Sequence, residues 1–423
     1  MAAPRVQRDE RIAGLAFPFQ RDLSAASAPR SRSIAAQRVA VLRLPFRAPA
    51  PAGVVMNKRL AGMTDAAMLA EGLRESRARM ARIAAVFEGE RLLGPRLAIV
   101  NPPLWEIGHV GWFQERWCLR LRPDGSLADS ILPGADTLYD SSAIPHDIRW
   151  DLPLPSIEKT RKYLDEVLAR VLERLSRAPQ DESLHYFARL AAYHEDMHGE
   201  AFHYTCQTLG YPAPSVEVSE VKRGNAKDVE LKGETFLLGA EPGANVFVFD
   251  NEKWGHEVRT APFAISSRPV SCGEYLAYVE AGGAAPRYWT RLDGRWMQRR
   301  FSVLKEILLE EPVRHVDWHQ AIAYCAWAGR RLPTEAEFEL AVKKEAIEWG
   351  EVWEWTSSTF EPYPGFVADP YKDYSEPWFG THQVLRGASF TTPRRMLRPT
   401  FRNFYQPHRA DVFCGFRTCR IES

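Results

Sequence analysis

From about Ala61 to Thr208, apolar residues recur at helical spacing. Asp65 can cap a first helix that carries Leu69, Leu73, Met80, Ile83 and Phe87. Pro102-Pro103 marks the start of a second, running to about Leu119. A third is predicted over Ser156–Arg177, with Ser156 as N-cap, Glu158 in the first turn, and Ile157, Tyr163, Val167 and Val171 mostly on one side. The fourth spans Glu182–Leu209 and stops at Gly210, a residue at ease in the left-handed conformation that ends helices. Four amphipathic helices, with a long connection between the second and third, predict a four-helix bundle.

From about Val218 the period shortens. Glu234-Thr-Phe-Leu-Leu-Gly, Phe247-Val-Phe-Asp and Phe263-Ala-Ile-Ser read as short strands separated by Gly and Pro. Helical stretches interrupt them near Ser271–Ala281 and His319–Gly329, and after Trp355 the chain is mostly turns, aromatics and arginines. This predicts a loop-rich α+β domain in which loops build the site. The boundaries are a bundle over 60–215, a linker at Pro212–Gly224 and a second domain over 225–423, with no internal repeat.

A length of 423 residues suits two domains and a tail. Residues 1–55 are rich in Arg, Ala, Pro and Ser without an amphipathic period. Asp9, Glu10 and Asp22 interrupt them, so they read as a disordered extension rather than a targeting leader, with Met56 as a plausible start. A net charge of +1 provides no field for nucleic acid or an anionic membrane, and no uncharged apolar run is long enough to span a bilayer. The six cysteines form no C-x-x-C pair, which favours the cytoplasm. The 13 Trp and 14 Tyr lie mostly C-terminal, as core or as the lining of a small-molecule pocket.

The fourth helix carries its apolar stripe through Phe187, Leu190 and Ala191, then His194, His198, Ala201 and Tyr204/Thr205. At i and i+4 the two imidazoles project from one face and can converge on one ion; burying both without a partner is costly. The string His194-Glu195-Asp196-Met197-His198 also fits the zinc-protease pattern H-E-x-x-H. His203 does not fit the extended version of that pattern, however, and the downstream carboxylates Glu217 and Glu220 fall in the linker. A third ligand is better sought on the second helix, where His109 lies close to Trp105, Trp112 and Phe113, and Gly108 and Gly111 allow a close approach. His185 and His203 compete for the role, each offset from the stripe. Three neutral histidines leave coordination positions open, which suits oxygen-activating iron as well as catalytic zinc.

The string Asn101-Pro-Pro-Leu-Trp-Glu-Ile-Gly-His-Val-Gly-Trp-Phe and the H-x-x-x-H helix resemble the DinB-like bundle of ergothioneine-type sulfoxide synthases. Four later stretches are similar to their formylglycine-generating-enzyme-like domain, which has a C-type-lectin-like fold. These are Pro269-Val-Ser-Cys-Gly-Glu-Tyr, Arg330-Arg-Leu-Pro-Thr-Glu-Ala-Glu-Phe-Glu, Val352-Trp-Glu-Trp-Thr-Ser-Ser and Val384-Leu-Arg-Gly-Ala-Ser-Phe. The resemblance covers nearly everything from residue 65 to 420. It implies iron(II) held by His109, His194 and His198, and an O2-dependent reaction joining a chalcogen nucleophile to imidazole C2 of hercynine, the Nα-trimethylated betaine of histidine.

The resemblance also places the ends of that betaine around Arg402, Asn403, Phe404 and Tyr405, where aromatic faces attract a quaternary ammonium; the alternative is that Phe404 and Tyr405 are domain core. Arg398, Arg402, Arg409 and Arg417 could clamp a donor carboxylate, with Arg409 counted among the substrate ligands, or could be structural partners of Asp411 and Glu354. A loop tyrosine is expected to supply a proton and an electron; Tyr363, Tyr371 and Tyr374 lie in that loop, and Tyr374 is the candidate. Relatives usually read H-x-x-Q-H-Q-E on the ligand helix, whereas this chain has Met197 and then Gly199-Glu200. It thereby looks more like the selenoneine synthase branch, which takes selenium from a selenosugar, than like enzymes using cysteine or γ-glutamylcysteine. A rival from another class is a non-catalytic module that only captures a betaine or sugar.

Overall fold

The computed structural model describes residues 65–215, 226–243 and 247–421. The extension over 1–55, Met56, Glu217, Glu220 and most of the linker lie outside the described residues.

Four long helices form the first half: α1 (Asp65–Ala84), α2 (Pro103–Glu115), and, after the short α3 (Ala135–Tyr139), α4 (Ile157–Arg177) and α5 (Glu182–Leu209). α1 and α2 each pack against both α4 and α5. The cap chemistry sets the ends of α4 and α5. Ser156 accepts from the Lys159 N–H, Asp181 accepts from the Leu184 N–H, and Gly210 closes α5 with φ of 67°.

One expectation needs correcting, because α2 is not amphipathic. All of Pro103–Glu115 is buried, since the other helices cover one side and the long 116–156 connection covers another. Its glycines make that enclosure possible. A Cβ on Gly108 would lie 2.3 Å from the Tyr139 ring, and one on Gly111 would lie 2.7 Å from Leu164. α2 runs on into a single π-type turn over Arg116–Arg120.

The second half opens with β1 (Asp228–Leu231), β2 (Thr235–Leu238), β3 (His256–Arg259) and β4 (Phe263–Ser266), then α6 (Cys272–Glu280). A three-stranded meander follows: β5 (Trp289–Leu292), β6 (Arg295–Arg300) and β7 (Val303–Glu306). Next come α7 (Trp318–Trp327), β8 (Arg330–Arg331) and α8 (Glu335–Lys343), the last with a Thr334/Glu337 capping box. The C-terminal strands are β9 (Trp353–Thr359), β10 (Gln383–Gly387), β11 (Asn403–Tyr405), β12 (Cys414–Phe416) and β13 (Cys419–Arg420). With β1, β4 and β8 they build two four-stranded sheets, ordered β1-β4-β13-β8 and β11-β10-β9-β12, while β2 and β3 pair separately. The expected α+β class holds, as do the strands at 235–238 and 263–266. Phe247-Val-Phe-Asp is no strand; its buried phenylalanines lead into a 3₁₀ turn at Asp250–Glu252.

The halves interlock through polar side chains. From β6, Arg299 donates to the Gln207 and Thr208 carbonyls at the C-terminus of α5. Tyr193 of α5 donates to the Arg395 carbonyl at 2.9 Å. All six cysteines are free and buried, and none of the helices among the described residues is long and apolar enough to cross a membrane.

Candidate metal centre

The i,i+4 pair on α5 faces α2, so His194 and His198 meet His109 in the bundle core, as the helical phase predicts. One ring nitrogen from each lies within 4.8 Å of the other two, and the Nε2 atoms of His194 and His198 are 3.2 Å apart. His109 Nδ1 donates to the Tyr139 carbonyl at 2.8 Å, and His198 Nδ1 donates to a Glu106 carboxylate oxygen at 2.6 Å. Because a carbonyl and a carboxylate only accept, these two bonds put the protons on Nδ1 and leave both Nε2 lone pairs pointing inward.

The surroundings keep the His109 and His194 rings neutral. Burial first, then the neighbouring imidazoles, push the pKa of His109 and His194 well below the usual histidine range. His194 Nδ1 is buried without a partner, its ring stacked on Phe113 at 3.6 Å between centroids. His109 stacks on Trp105 at 4.9 Å. Converging lone pairs, the outer nitrogens of His109 and His198 tied to oxygen acceptors, and an apolar casing are features of a three-histidine metal site, so the residues fit a divalent ion. The carboxylate behind His198 should matter in proportion. Glu106→Gln keeps the shape but removes the charge, so metal affinity measured by anaerobic titration should fall about 10- to 100-fold; an unchanged affinity would reduce Glu106 to core filling.

The competing histidines are elsewhere. His203 Nδ1 bonds to the Gly199 carbonyl, burial takes its pKa down to about 4, and His185 is buried outside the cluster. The zinc-protease reading loses its base, because Glu195 is engaged by buried Arg77 at 2.7 Å.

Of the three loop tyrosines, Tyr371 is the one whose ring meets His194, at 6.2 Å, and Phe113, at 4.9 Å. Tyr374 sits behind it, 6.2 Å from Tyr371 and stacked on Phe249 at 4.2 Å. Tyr363 lies beneath the Arg402 guanidinium, 4.1 Å away. On β11, Phe404 stacks on Phe360 at 4.1 Å with its edge region near Tyr374, and Asn403, Phe404 and Tyr405 are all half-buried.

The arginines mostly turn out to be structural. Arg402 is buried and donates to Glu335 and to the Asn251 and Glu361 carbonyls, so its fork is engaged inside the domain and does not reach the site. Arg398 pairs with Glu252, Arg417 with Glu354, and Arg409 with Asp411 through two 2.6 Å bonds. Arg409 nonetheless borders a cavity of about 200 Å³, together with Asn101, Glu106, His146, Arg149 and Tyr204. Its lining includes Glu106, the carboxylate that accepts from His198. Arg149 rests on Trp105 at 4.1 Å and donates to Asn101 at 2.8 Å; burial takes its pKa down to about 10, and its Nε is unpartnered. Sequence reasoning missed Glu106, Arg149 and the Tyr139 carbonyl. A glutamate buried in an otherwise apolar helix run was the available signal for the first, while the other two depend on the path of the 116–156 connection.

Residues 58–202 match the DinB superfamily, and residues 214–349 and 348–421 match the Sulfatase-modifying factor enzyme 1-like domain. Hercynine oxygenase of Mycobacterium tuberculosis is 30% identical over 84% of this chain and 99% of its own length. Hercynine oxygenase of Mycolicibacterium smegmatis is 30% identical over 82% of this chain and 97% of its own length. Ergothioneine biosynthesis protein 1 of Schizosaccharomyces pombe is 30% identical over 40% of this chain and 27% of that one. With its bundle and sheet domains both matched and a full-length relative at this identity, the chain belongs to the hercynine oxygenase family of enzymes.

Proposed function

We propose that the protein is an iron(II)- and O2-dependent enzyme that joins selenium from a selenosugar to imidazole C2 of hercynine. The convergence of the His109, His194 and His198 ring nitrogens carries the metal part of this reading. Bound there, iron(II) would supply the redox chemistry that O2 requires. The protein's own groups bind and orient. The half-buried Asn403, Phe404 and Tyr405 on β11, with Tyr374 beside Phe404, offer aromatic faces to the trimethylammonium and an amide to the carboxylate. Tyr371 is the proton donor in this scheme, in place of Tyr374. Burial, reinforced by Asp373 and Asp140, drives its pKa upward, so the phenol oxygen holds its proton beside His194.

The cavity bounded by Glu106, Arg149 and Arg409 supports a donor rich in hydroxyl groups. Arg409 is neutralised by Asp411, and Arg149 lies across from Glu106, so the charges are balanced. Such a lining suits neutral oxygens better than the carboxylates of a γ-glutamyl thiol. Met197, which replaces the glutamine usual in the sulfur enzymes, supports the same branch. The test offers purified iron-loaded protein hercynine and O2, with a 1-seleno-hexosamine and γ-glutamylcysteine in parallel. A selenium isotope pattern on the hercynine product is expected. A product containing only sulfur would overturn the selenium donor, and no hercynine consumption with either donor would overturn the whole reading.

A further inference from the structure

Beyond the metal ligands, α5 sends charged side chains out of the bundle: Asp196 pairs with Arg395 at 2.9 Å, and Glu200 reaches further. Glu200 lies two residues past His198, is 8% exposed, and enters the second domain. Its Oε1 accepts from Trp353 Nε1 and from Ser389 Oγ, both at 2.6 Å, and its Oε2 accepts from Thr392 Oγ1 at 3.1 Å. Hydrogen bonds to an ionised carboxylate are among the stronger ones, and three donors from two separate segments fix it in position as well as direction. Those segments belong to the sheet that carries β11. Trp353 lies on β9 opposite Gly387 of β10, and Ser389 and Thr392 form the turn after β10. β10 in turn pairs with β11 through Leu385↔Asn403 and Val384↔Phe404. The Glu200 charge also bears on Tyr405.

We propose that Glu200 is a positioning residue that clamps the ligand helix to the sheet bearing β11, setting the distance between His198 and the strand that holds hercynine. This inference rests on the proposed placement of the metal on the three histidines and of hercynine on β11. The two reactants come from different domains, so their separation is set by whatever joins α5 to β9 and the turn after β10. Tyr193 and Asp196 tie α5 to Arg395, whereas Glu200, two residues from His198, reaches β9 and the turn after β10 directly. Misplacing reacting groups by about an ångström can cost on the order of a hundredfold in rate.

The test compares wild type, Glu200→Ala and Glu200→Gln as full-length proteins loaded with cobalt(II) or iron(II). In wild type, adding hercynine should shift the cobalt ligand-field bands. In Glu200→Ala the cobalt should still bind, but the shift should be lost or altered. The kcat of the iron enzyme should fall on the order of a hundredfold while KM for hercynine stays near wild type. Glu200→Gln, which retains an acceptor for Trp353 and Ser389, should recover part of both. Should Glu200→Ala fail to fold, Trp353→Phe removes one donor and should move the bands in the same direction. Wild-type bands unmoved by hercynine would sink the underlying site reading. A wild-type response reproduced unchanged in the Glu200 variants, with only the melting temperature lowered, would overturn the positioning role alone.

Discussion

His109→Ala is expected to lose bound iron and to reduce turnover by at least about a thousandfold, since removing even an outer partner of a ligand costs 10- to 100-fold. The reason lies in how the site is divided between helices. His194 and His198 are one turn apart on α5, whereas His109 comes from α2 and is held by the Tyr139 carbonyl and the Trp105 face. Without it, two nitrogens remain on one side of the ion, too few to hold iron(II) against water. The fold should survive, because α2 stays buried along its whole length and the Gly108–Tyr139 contact is untouched. Metal analysis of anaerobically purified variant, alongside circular dichroism and hercynine consumption, checks this. A non-catalytic capture module predicts that betaine binding and output persist in the variant. Full iron content with wild-type turnover would remove His109 from the site.

That the His194/His198 pair is legible from spacing, while the choice of His109 rests on the family resemblance, has a physical basis. Ligands one helical turn apart are a local property, and the caps that bound α5, Asp181 and Gly210, are local too. The burial of α2 is not local; its apolar run was taken for one face of an amphipathic helix, though the surrounding chain covers every face. α8 does have a local start signal, the Thr334/Glu337 capping box, but its nine residues are too short to show a clear helical period. The arginines show the same limit more sharply. Nothing near Arg402 in sequence reveals that Glu335, 67 positions away, fills its fork, whereas Arg409 and Asp411 are two residues apart. Sequence favours Tyr374 among the loop tyrosines, whereas the path of the loop past Phe113 brings Tyr371 against His194 and leaves Tyr374 on Phe249.

Glu354→Ala should destabilise the C-terminal half by about 3–5 kcal/mol, the cost of leaving a buried partner charge unpaired. Glu354 on β9 and Arg417 just after β12 are both 0% exposed and joined by bonds of 2.6 and 2.7 Å. Arg417 also donates to the Ser266 and Glu348 carbonyls and lies over Phe338 at 5.2 Å, so the pair ties both four-stranded sheets to α8. Neither backbone carbonyl can neutralise the guanidinium once the carboxylate is gone, and no rotamer change within that casing brings it to water. Scanning calorimetry should show the transition of this half lowered by roughly 10 °C. Replacing both partners together, Glu354→Leu with Arg417→Met, should cost far less, because the desolvation penalty disappears along with the attraction. A single substitution costing under about 1 kcal/mol, the range of solvent-exposed ion pairs, would show that water reaches the pair. In that case the sheet-to-helix junction would owe its strength to Phe338 and the surrounding apolar side chains rather than to charge.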